Sequence, residues 1–140
     1  MVSDYKYIVT PLIAWLVAHC LKVLILAIKT KRLNLRPGPG SMPSGHSAIV
    51  VSVLTIIGLS EGITNPLFGL ALAVAMIVVY DAVHVRFAVG EQAKAIGRIV
   101  KEAKLKIEAP KIVRGHTYPE MIVGSLIGFL IGCVVFITTC

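Results

Sequence analysis

Two short polar segments contain the residues whose types and spacing could carry out chemistry. The first, at residues 43–47, reads Pro-Ser-Gly-His-Ser and stands at the start of an apolar stretch. Ser44 suits the N-cap of a helix, Gly45 lets a ligand approach the backbone, and the N–H groups of a helix start bind phosphate. His46 could donate a proton beside such a phosphate. The alternative is a capped helix with an interfacial histidine.

The second segment, at residues 115–120, reads Gly-His-Thr-Tyr-Pro-Glu and precedes the last apolar stretch. Glu120 could accept a hydrogen bond from His116, which would fix the imidazole tautomer and raise its nucleophilicity. The alternative is structural, because Pro119 and Glu120 both suit the first turn of a helix. The pair therefore indicates either a nucleophilic histidine with its orienting carboxylate or a helix start.

The first apolar stretch ends in basic residues. Lys29 and Arg36 could fold back over His46 as a phosphate clamp, or they could belong to a collar that binds anionic lipid headgroups. Lys22 lies inside the apolar stretch, where its charge is costly unless the side chain extends to the membrane edge or faces the protein interior. We expect it to extend toward the cytoplasmic membrane edge, and the interior position is the alternative.

Titratable residues also gather at the end of the third apolar stretch. Asp81 and His84 are spaced i, i+3, so both could face one site, with Arg86 close behind. Ionisable residues within a membrane segment indicate a functional site. The alternative is a structural ion pair of Asp81 with Arg86 or with Lys29.

The composition is that of a membrane protein. Hydrophobic residues make up 56% of the 140-residue chain, and the mean hydropathy is +0.86. A bilayer-spanning helix needs about 20 mainly apolar residues. Four stretches are candidates, at about residues 7–28, 44–61, 66–85 and 120–139. We therefore predict an all-α fold: an integral membrane four-helix bundle in which residues 1–140 form a single transmembrane domain.

A basic amphipathic helix is predicted over residues 89–107, between the third and fourth spans. Apolar residues recur there in steps of four and three, with lysine and arginine between them. Such a helix lies on the cytoplasmic membrane surface or packs over the bundle as a lid. Few aromatic residues interleave, and the membrane accounts for the charge, so no nucleic-acid partner is predicted.

The four predicted spans divide the positive charge unequally between the two sides of the membrane. Twelve of the fourteen Lys and Arg residues fall on the side that holds residues 29–43 and 86–120. By the positive-inside tendency this side is cytoplasmic, and both termini are extracytoplasmic. Two loops and three helix ends could gather the candidate site residues into one pocket at that edge. All of them fall on the cytoplasmic side: Lys29, Arg36, Ser44, His46, Asp81, Arg86, His116 and Glu120.

Small residues in the fourth span indicate close packing. Gly124, Gly128 and Gly132 form a Gly-x-x-x-Gly-x-x-x-Gly stripe, which is typical of closely approaching membrane helices. The partner could be another span or a second subunit, and the latter would make a homodimer. The three cysteines show no metal-ligand spacing and are interpreted as small apolar fillers.

The order of these motifs resembles the three-part signature of the type-2 phosphatidic acid phosphatase and vanadium haloperoxidase superfamily. That signature reads Lys-x6-Arg-Pro, then Pro-Ser-Gly-His, then Ser-Arg-x5-His-x3-Asp. Its counterparts in this chain are Lys29-x6-Arg36-Pro37, Pro43-Ser44-Gly45-His46 and Gly115-His116-x3-Glu120. The stretch from Tyr80 through Arg86 to Ala93, followed by Gly115-His116-Thr117, is similar to the small, divergent branch of that superfamily.

The resemblance implies a lipid phosphate phosphatase that works through a phosphohistidine. His116 would attack phosphorus, Glu120 would orient it, and His46 would protonate the leaving alkoxide and then activate water. The implied phosphate ligands are Lys29, Arg36, Arg86, the Ser44 hydroxyl and N–H groups near Gly45. No metal or other cofactor is implied. The substrate would enter from the cytoplasmic leaflet as phosphatidic acid, a glycerophosphate phospholipid or a prenyl diphosphate.

The chain departs from the signature at two positions. Glu120 stands where the superfamily has Asp, and no Ser-Arg lies six residues before His116, where position 110 is Pro. Arg86 from the third span and Arg114 are the two candidates for the missing guanidinium.

Two other functions are consistent with the same residues. A divalent cation bound by Asp81, His84, His116 and Glu120 would make the protein a metal-dependent membrane hydrolase, and its turnover would be sensitive to a chelator. Alternatively, the pocket could bind phospholipid headgroups or support an oligomer without catalysis, which headgroup binding without turnover would favour.

Overall fold

The computed structural model describes residues 5–31, 41–104, 106–110 and 115–139, and within these ranges the fold is all-helical, with no β-strand. A π-helical turn at Asp81–Val85 separates two of the helices. The described part of the chain contains five α-helices: α1 (Lys6–Thr30), α2 (Gly45–Glu61), α3 (Pro66–Tyr80), α4 (Arg86–Glu102) and α5 (Tyr118–Thr139).

The helices have the length and composition of membrane spans. Among the described residues, three helical segments are long and apolar enough to cross a bilayer: Lys6–Thr30, Pro66–Glu102 and Tyr118–Thr139. Helix α2 is also apolar but has 17 residues, which corresponds to about 26 Å at 1.5 Å per residue. The predicted all-α membrane fold is confirmed.

Helix α2 is the central element, because it packs against α5, α1 and α3. The glycine stripe of α5 faces it. An added Cβ at Gly124 or Gly128 would overlap the backbone carbonyl oxygens of Ser44 and Ala48, and Gly132 is also covered by α2. The partner of the stripe is therefore a helix of the same chain. A homodimer stays a prediction, and it would have to use a different surface.

Helix α1 turns a stripe of small residues toward the bundle. Thr10, Ala14 and Ala18 follow one another at intervals of four residues, and all three have no exposed surface. Ala14 and Ala18 form a buried cluster with Ala48 of α2. Because these side chains are small, the two helix backbones approach closely, and Lys22 occupies the next turn of α1 after Ala18.

The third span and the amphipathic segment differ from their predicted bounds. The structure has one continuous helical segment, Pro66–Glu102, in which the π turn at Asp81–Val85 replaces the predicted break near residues 86–88. No proline stands in that region to interrupt the helix. Helix α4 then ends at Glu102 instead of position 107, and Lys104 just beyond it has a φ of 50°, a conformation that does not continue a helix.

Candidate active site

His116 and Glu120 form the centre of the site. The Nδ1 atom of His116 lies 3.1 Å from Oε2 of Glu120, and the same oxygen accepts the N–H of Thr117 at 3.0 Å. His116 is buried, with 7% of its surface exposed. Because a carboxylate only accepts hydrogen bonds, Nδ1 carries the proton and Nε2 carries the lone pair. This is the tautomer that a nucleophilic histidine requires.

The backbone of His116 is held by the π turn. Its N–H donates to the carbonyl oxygen of Ala82 at 3.0 Å. Gly115, one residue earlier, lies so close to α4 that an added Cβ would stand 2.6 Å from the backbone nitrogen of Phe87. The segment that precedes α5 therefore rests directly on the junction of α3 and α4, and this contact needs a glycine.

The same π turn positions Arg86. In this turn the N–H of Arg86 donates to the carbonyl of Asp81, an i to i+5 hydrogen bond. The Nε atom of Arg86 also lies 3.2 Å from Oδ2 of Asp81. Of the two ion pairs considered for Asp81, the structure therefore contains the one with Arg86 and not the one with Lys29.

Ser44 caps α2 and connects it to α5. Its Oγ accepts from the N–H of Ser47 at 3.4 Å and from the Ser47 hydroxyl at 3.1 Å, and Ser44 has no exposed surface. The N–H of Ser44 donates to the backbone carbonyl of Glu120 at 3.0 Å. An added Cβ at Gly45 would meet no described atom within 4 Å. The positive end of α2 thus lies beside the start of α5.

His46, in the first turn of α2, faces His116. The centroids of the two imidazole rings are 6.1 Å apart, and the ring planes are inclined at 63°. The structure therefore brings the histidines of two motifs, separated by 69 intervening residues in the chain, close to each other.

A polar cleft of about 320 Å³ opens beside Glu120. Its lining comes from α1, the residues before α2 and the start of α5: Lys22, Ile25, Leu26, Lys29, Ser41, Met42, Thr117, Pro119 and Glu120. Lys29 of the first motif is thus on the cleft, near its exposed end. Lys22 was expected to extend to the membrane edge, and its position on this cleft corresponds to the alternative, in which it faces the protein interior.

An apolar cavity of about 370 Å³ adjoins His116. The lining residues come from the π turn, α4 and the start of α5: Val83, His84, Phe87, His116, Thr117, Tyr118 and Pro119. Thr117 and Pro119 line both spaces. A polar space and an apolar space therefore meet at the residues that follow the candidate nucleophile.

His84 does not share a site with Asp81. Its ring stacks on Tyr80 with centroids 4.3 Å apart, and its Nε2 lies 3.2 Å from the hydroxyl of Tyr118. A π turn takes more residues per turn than an α-helix, so i, i+3 residues no longer share one face. Across the described ranges, no three His, Cys, Asp or Glu residues are grouped closely enough to hold a metal ion.

The surroundings keep His116 neutral. Burial has the largest effect and lowers the pKa of His116 below its ordinary value, while the hydrogen bond with Glu120 acts in the opposite direction. The positive charges of Lys22 and Arg86 lower this pKa further. The imidazole of His116 is therefore unprotonated at neutral pH and can act as a nucleophile.

The structure brings most of the predicted site residues together at one end of the bundle, around His46, His116 and Glu120. Arg36 and Arg114 lie outside the described residues. Of the two candidates for the missing guanidinium, Arg86 is the one whose surroundings are described. Its positive charge contributes to the lowered pKa of His116. Lys22 could have been found in the sequence, because it continues the four-residue spacing of Ala14 and Ala18.

Comparison with known proteins gives two matches. A model of the Divergent PAP2 family matches residues 3–131. The uncharacterized membrane protein YuiD of Bacillus subtilis (strain 168) is 33% identical over 141 residues, a region that covers 89% of this chain and 89% of that protein. No solved structure matches the chain.

Proposed function

This chain belongs to the divergent PAP2 family, and from that premise we propose that it is a membrane-embedded lipid phosphate phosphatase with a phosphohistidine intermediate. The observation that carries the proposal is the hydrogen-bonded pair of His116 and Glu120, with the ring centroid of His46 6.1 Å from that of His116. One histidine is buried and oriented by a carboxylate, and the other lies close enough to be proposed as the acid and base for the leaving group and water.

In the first step, the lone pair on Nε2 of His116 attacks phosphorus. The bond from phosphorus to the lipid oxygen breaks, its electron pair stays on that oxygen, and protonated His46 supplies the proton that makes the alcohol. The imidazole of His116 becomes positively charged as the nitrogen–phosphorus bond forms. Glu120, hydrogen-bonded to Nδ1, stabilises that charge and holds the ring in place.

In the second step, the phosphohistidine is hydrolysed. Neutral His46 takes a proton from a water molecule, and the hydroxide attacks phosphorus. The nitrogen–phosphorus bond breaks, its electron pair returns to Nε2 of His116, and inorganic phosphate leaves. Both histidines then carry the protons with which the cycle began.

Charge on the phosphoryl oxygens is balanced by donors from several elements. Arg86 is held by Asp81, and the start of α2 offers the N–H groups near Gly45 beside the Ser44 hydroxyl. Lys29 lines the polar cleft beside Glu120 and is another proposed ligand. Arg36 of the first motif is a further proposed ligand. Losing one such donor typically costs about 10²–10³ in rate.

The two adjoining spaces support an amphiphilic substrate. A phosphate headgroup suits the polar cleft that contains lysine, and a hydrocarbon tail suits the apolar cavity formed by Val83 and Phe87. The proposed substrates are phosphatidic acid, a glycerophosphate phospholipid or a prenyl diphosphate, entering from the cytoplasmic leaflet. The proposed orientation, with both termini extracytoplasmic, rests on the positive-inside tendency.

The test is phosphate release from a panel of lipid phosphates by the purified full-length protein in detergent with EDTA. The variants His46→Ala and His116→Ala run beside the wild type, and His19→Ala is the matched control, since His19 stacks on Trp15 and lines neither the polar cleft nor the apolar cavity. We expect turnover that survives EDTA, persists in the control and is lost in both site variants.

Three results would contradict the proposal. Turnover only without chelator would indicate metal-dependent hydrolysis. Headgroup binding without turnover of any lipid in the panel would indicate a non-catalytic binding protein. Full activity in His116→Ala would show that another residue attacks phosphorus.

A further inference from the structure

We propose that Lys22, a residue inside helix α1, contacts the phosphoryl group during its transfer. The inference rests on the proposed function and adds a ligand that the three-part motif does not contain. The motif assigns its lysine to Lys29, in the last turn of α1, where the side chain is exposed. Lys22 lies seven residues earlier, about 10 Å deeper along the helix axis.

The backbone of α1 directs Lys22 toward the bundle. Ala14 and Ala18, four and eight residues before it, are completely buried against the rest of the protein. In a helix, positions four apart lie on one face. Lys22 therefore continues the face that packs against α2 and α5, and its side chain lines the polar cleft with Thr117 and Glu120.

The positive charge of Lys22 interacts electrostatically with His116 and Glu120. Its ammonium is one of the cations that lower the pKa of His116, and it also interacts with the carboxylate of Glu120. The cation therefore stands on the α1 side of the nucleophile, whereas Arg86 stands on the α4 side. Both positive charges would attract a phosphoryl group bound to His116.

Lys22 has no ion-pair partner among the described carboxylates, since none lies within 4.0 Å of its nitrogen. The nearby Oε2 of Glu120 is already bonded to His116 and to the Thr117 N–H. A lysine inside a membrane helix is costly without a counter-charge. An anionic phosphoryl group in the cleft would supply it, and the ammonium would stabilise the negative charge that increases on the oxygens during attack.

The experiment compares three lysine substitutions in the full-length protein. Lys22→Met removes the charge and keeps the length of the side chain, and Lys22→Arg keeps the charge. Lys6→Met is the matched control, because Lys6 is at the other end of α1, about 24 Å away along the axis. We expect Lys22→Met to lower kcat by about 10²–10³, Lys22→Arg to retain more activity, and Lys6→Met to match the wild type.

A second measurement separates this role from a structural one. NMR titration of histidine-labelled protein in micelles should show a higher pKa for His116 in Lys22→Met than in the wild type, because a nearby cation has been removed. Lys22→Arg should leave that pKa nearly unchanged. If Lys22→Met does not fold, Lys22→Gln, which keeps a polar end, is measured in its place.

Failure of this inference and failure of the proposed function give different results. Wild-type kcat in a folded Lys22→Met protein, with His116→Ala inactive, would overturn the role of Lys22 and leave the phosphatase intact. If the wild-type protein hydrolyses no lipid phosphate, the proposed phosphatase function is wrong. The role of Lys22 is then tested by measuring the binding of inorganic phosphate. Equal phosphate affinity in wild type and Lys22→Met would then overturn it.

Discussion

The N–H of Ser44 donates to the backbone carbonyl of Glu120 at 3.0 Å. This hydrogen bond joins the start of α2 to the start of α5. Glu120 therefore connects two motifs, because its backbone is hydrogen-bonded to Ser44 and its side chain to His116. Two positive helix ends consequently lie side by side at the site. A phosphoryl group there would meet both at once.

Glu120→Gln should reduce kcat by about 10²-fold or more, because the ring of His116 loses the charge that stabilises its cationic form. The amide is similar in size, so the fold should be retained. Phosphate release measures the effect, and Glu91→Gln is the matched control, since Glu91 pairs with Lys94 on exposed α4. Comparable losses in both variants would argue against a role specific to Glu120.

The pH dependence of kcat/KM should show an acidic limb below pH 6.5, the ordinary pKa of histidine. His116 must be neutral to attack, and its lowered pKa keeps it neutral to lower pH. The charged or titratable groups that face it are Lys22, His46, Arg86 and Glu120. Glu120→Gln removes the carboxylate that raises the pKa of His116, so the acidic limb of this variant should lie at lower pH. A limb above pH 6.5 that is insensitive to Glu120→Gln would refute this assignment.

Asp81→Asn should lower activity more than stability. The ion pair with Arg86 is nearly half exposed, with 42% and 45% of the two side chains accessible, so its loss should cost no more than about 1 kcal/mol. The guanidinium, however, loses the contact that orients it toward the site. We expect a decrease in kcat/KM of up to about 10²-fold, the loss that a misplacement of about 1 Å can cause, with little change in thermal unfolding. An Asp81→Asn variant with a lower unfolding temperature and an unchanged kcat/KM would contradict this.

Gly128→Ala should destabilise the fold by about 1–3 kcal/mol, because the new methyl group overlaps the carbonyl of Ala48 and forces α2 and α5 apart. Gly69→Ala is the control: an added Cβ there meets no described atom within 4 Å, and alanine is the better helix former. Thermal unfolding in detergent compares the two. An unchanged Tm in Gly128→Ala would mean that α2 and α5 do not pack as described.

The periodic and compositional features of the chain predicted most of the fold. An apolar composition and long apolar stretches lead to membrane helices, because a lipid environment leaves the backbone few alternatives. The boundary between the third span and α4 was predicted less well. A π turn changes the hydrogen-bond register without any proline or glycine run, so the sequence contained no signal for it.

The residue types, their spacing and their order along the chain determined the family, the membrane character and the choice of candidate site residues, since His46, His116 and Glu120 are recognisable from local motifs. The tertiary structure alone decided which groups meet. It paired Asp81 with Arg86, placed His84 against Tyr118, turned the glycine stripe toward α2 and directed Lys22 into the cleft. The physical reason is that a motif specifies the side chains, whereas packing of distant helices specifies which face of each helix turns inward and what it contacts there.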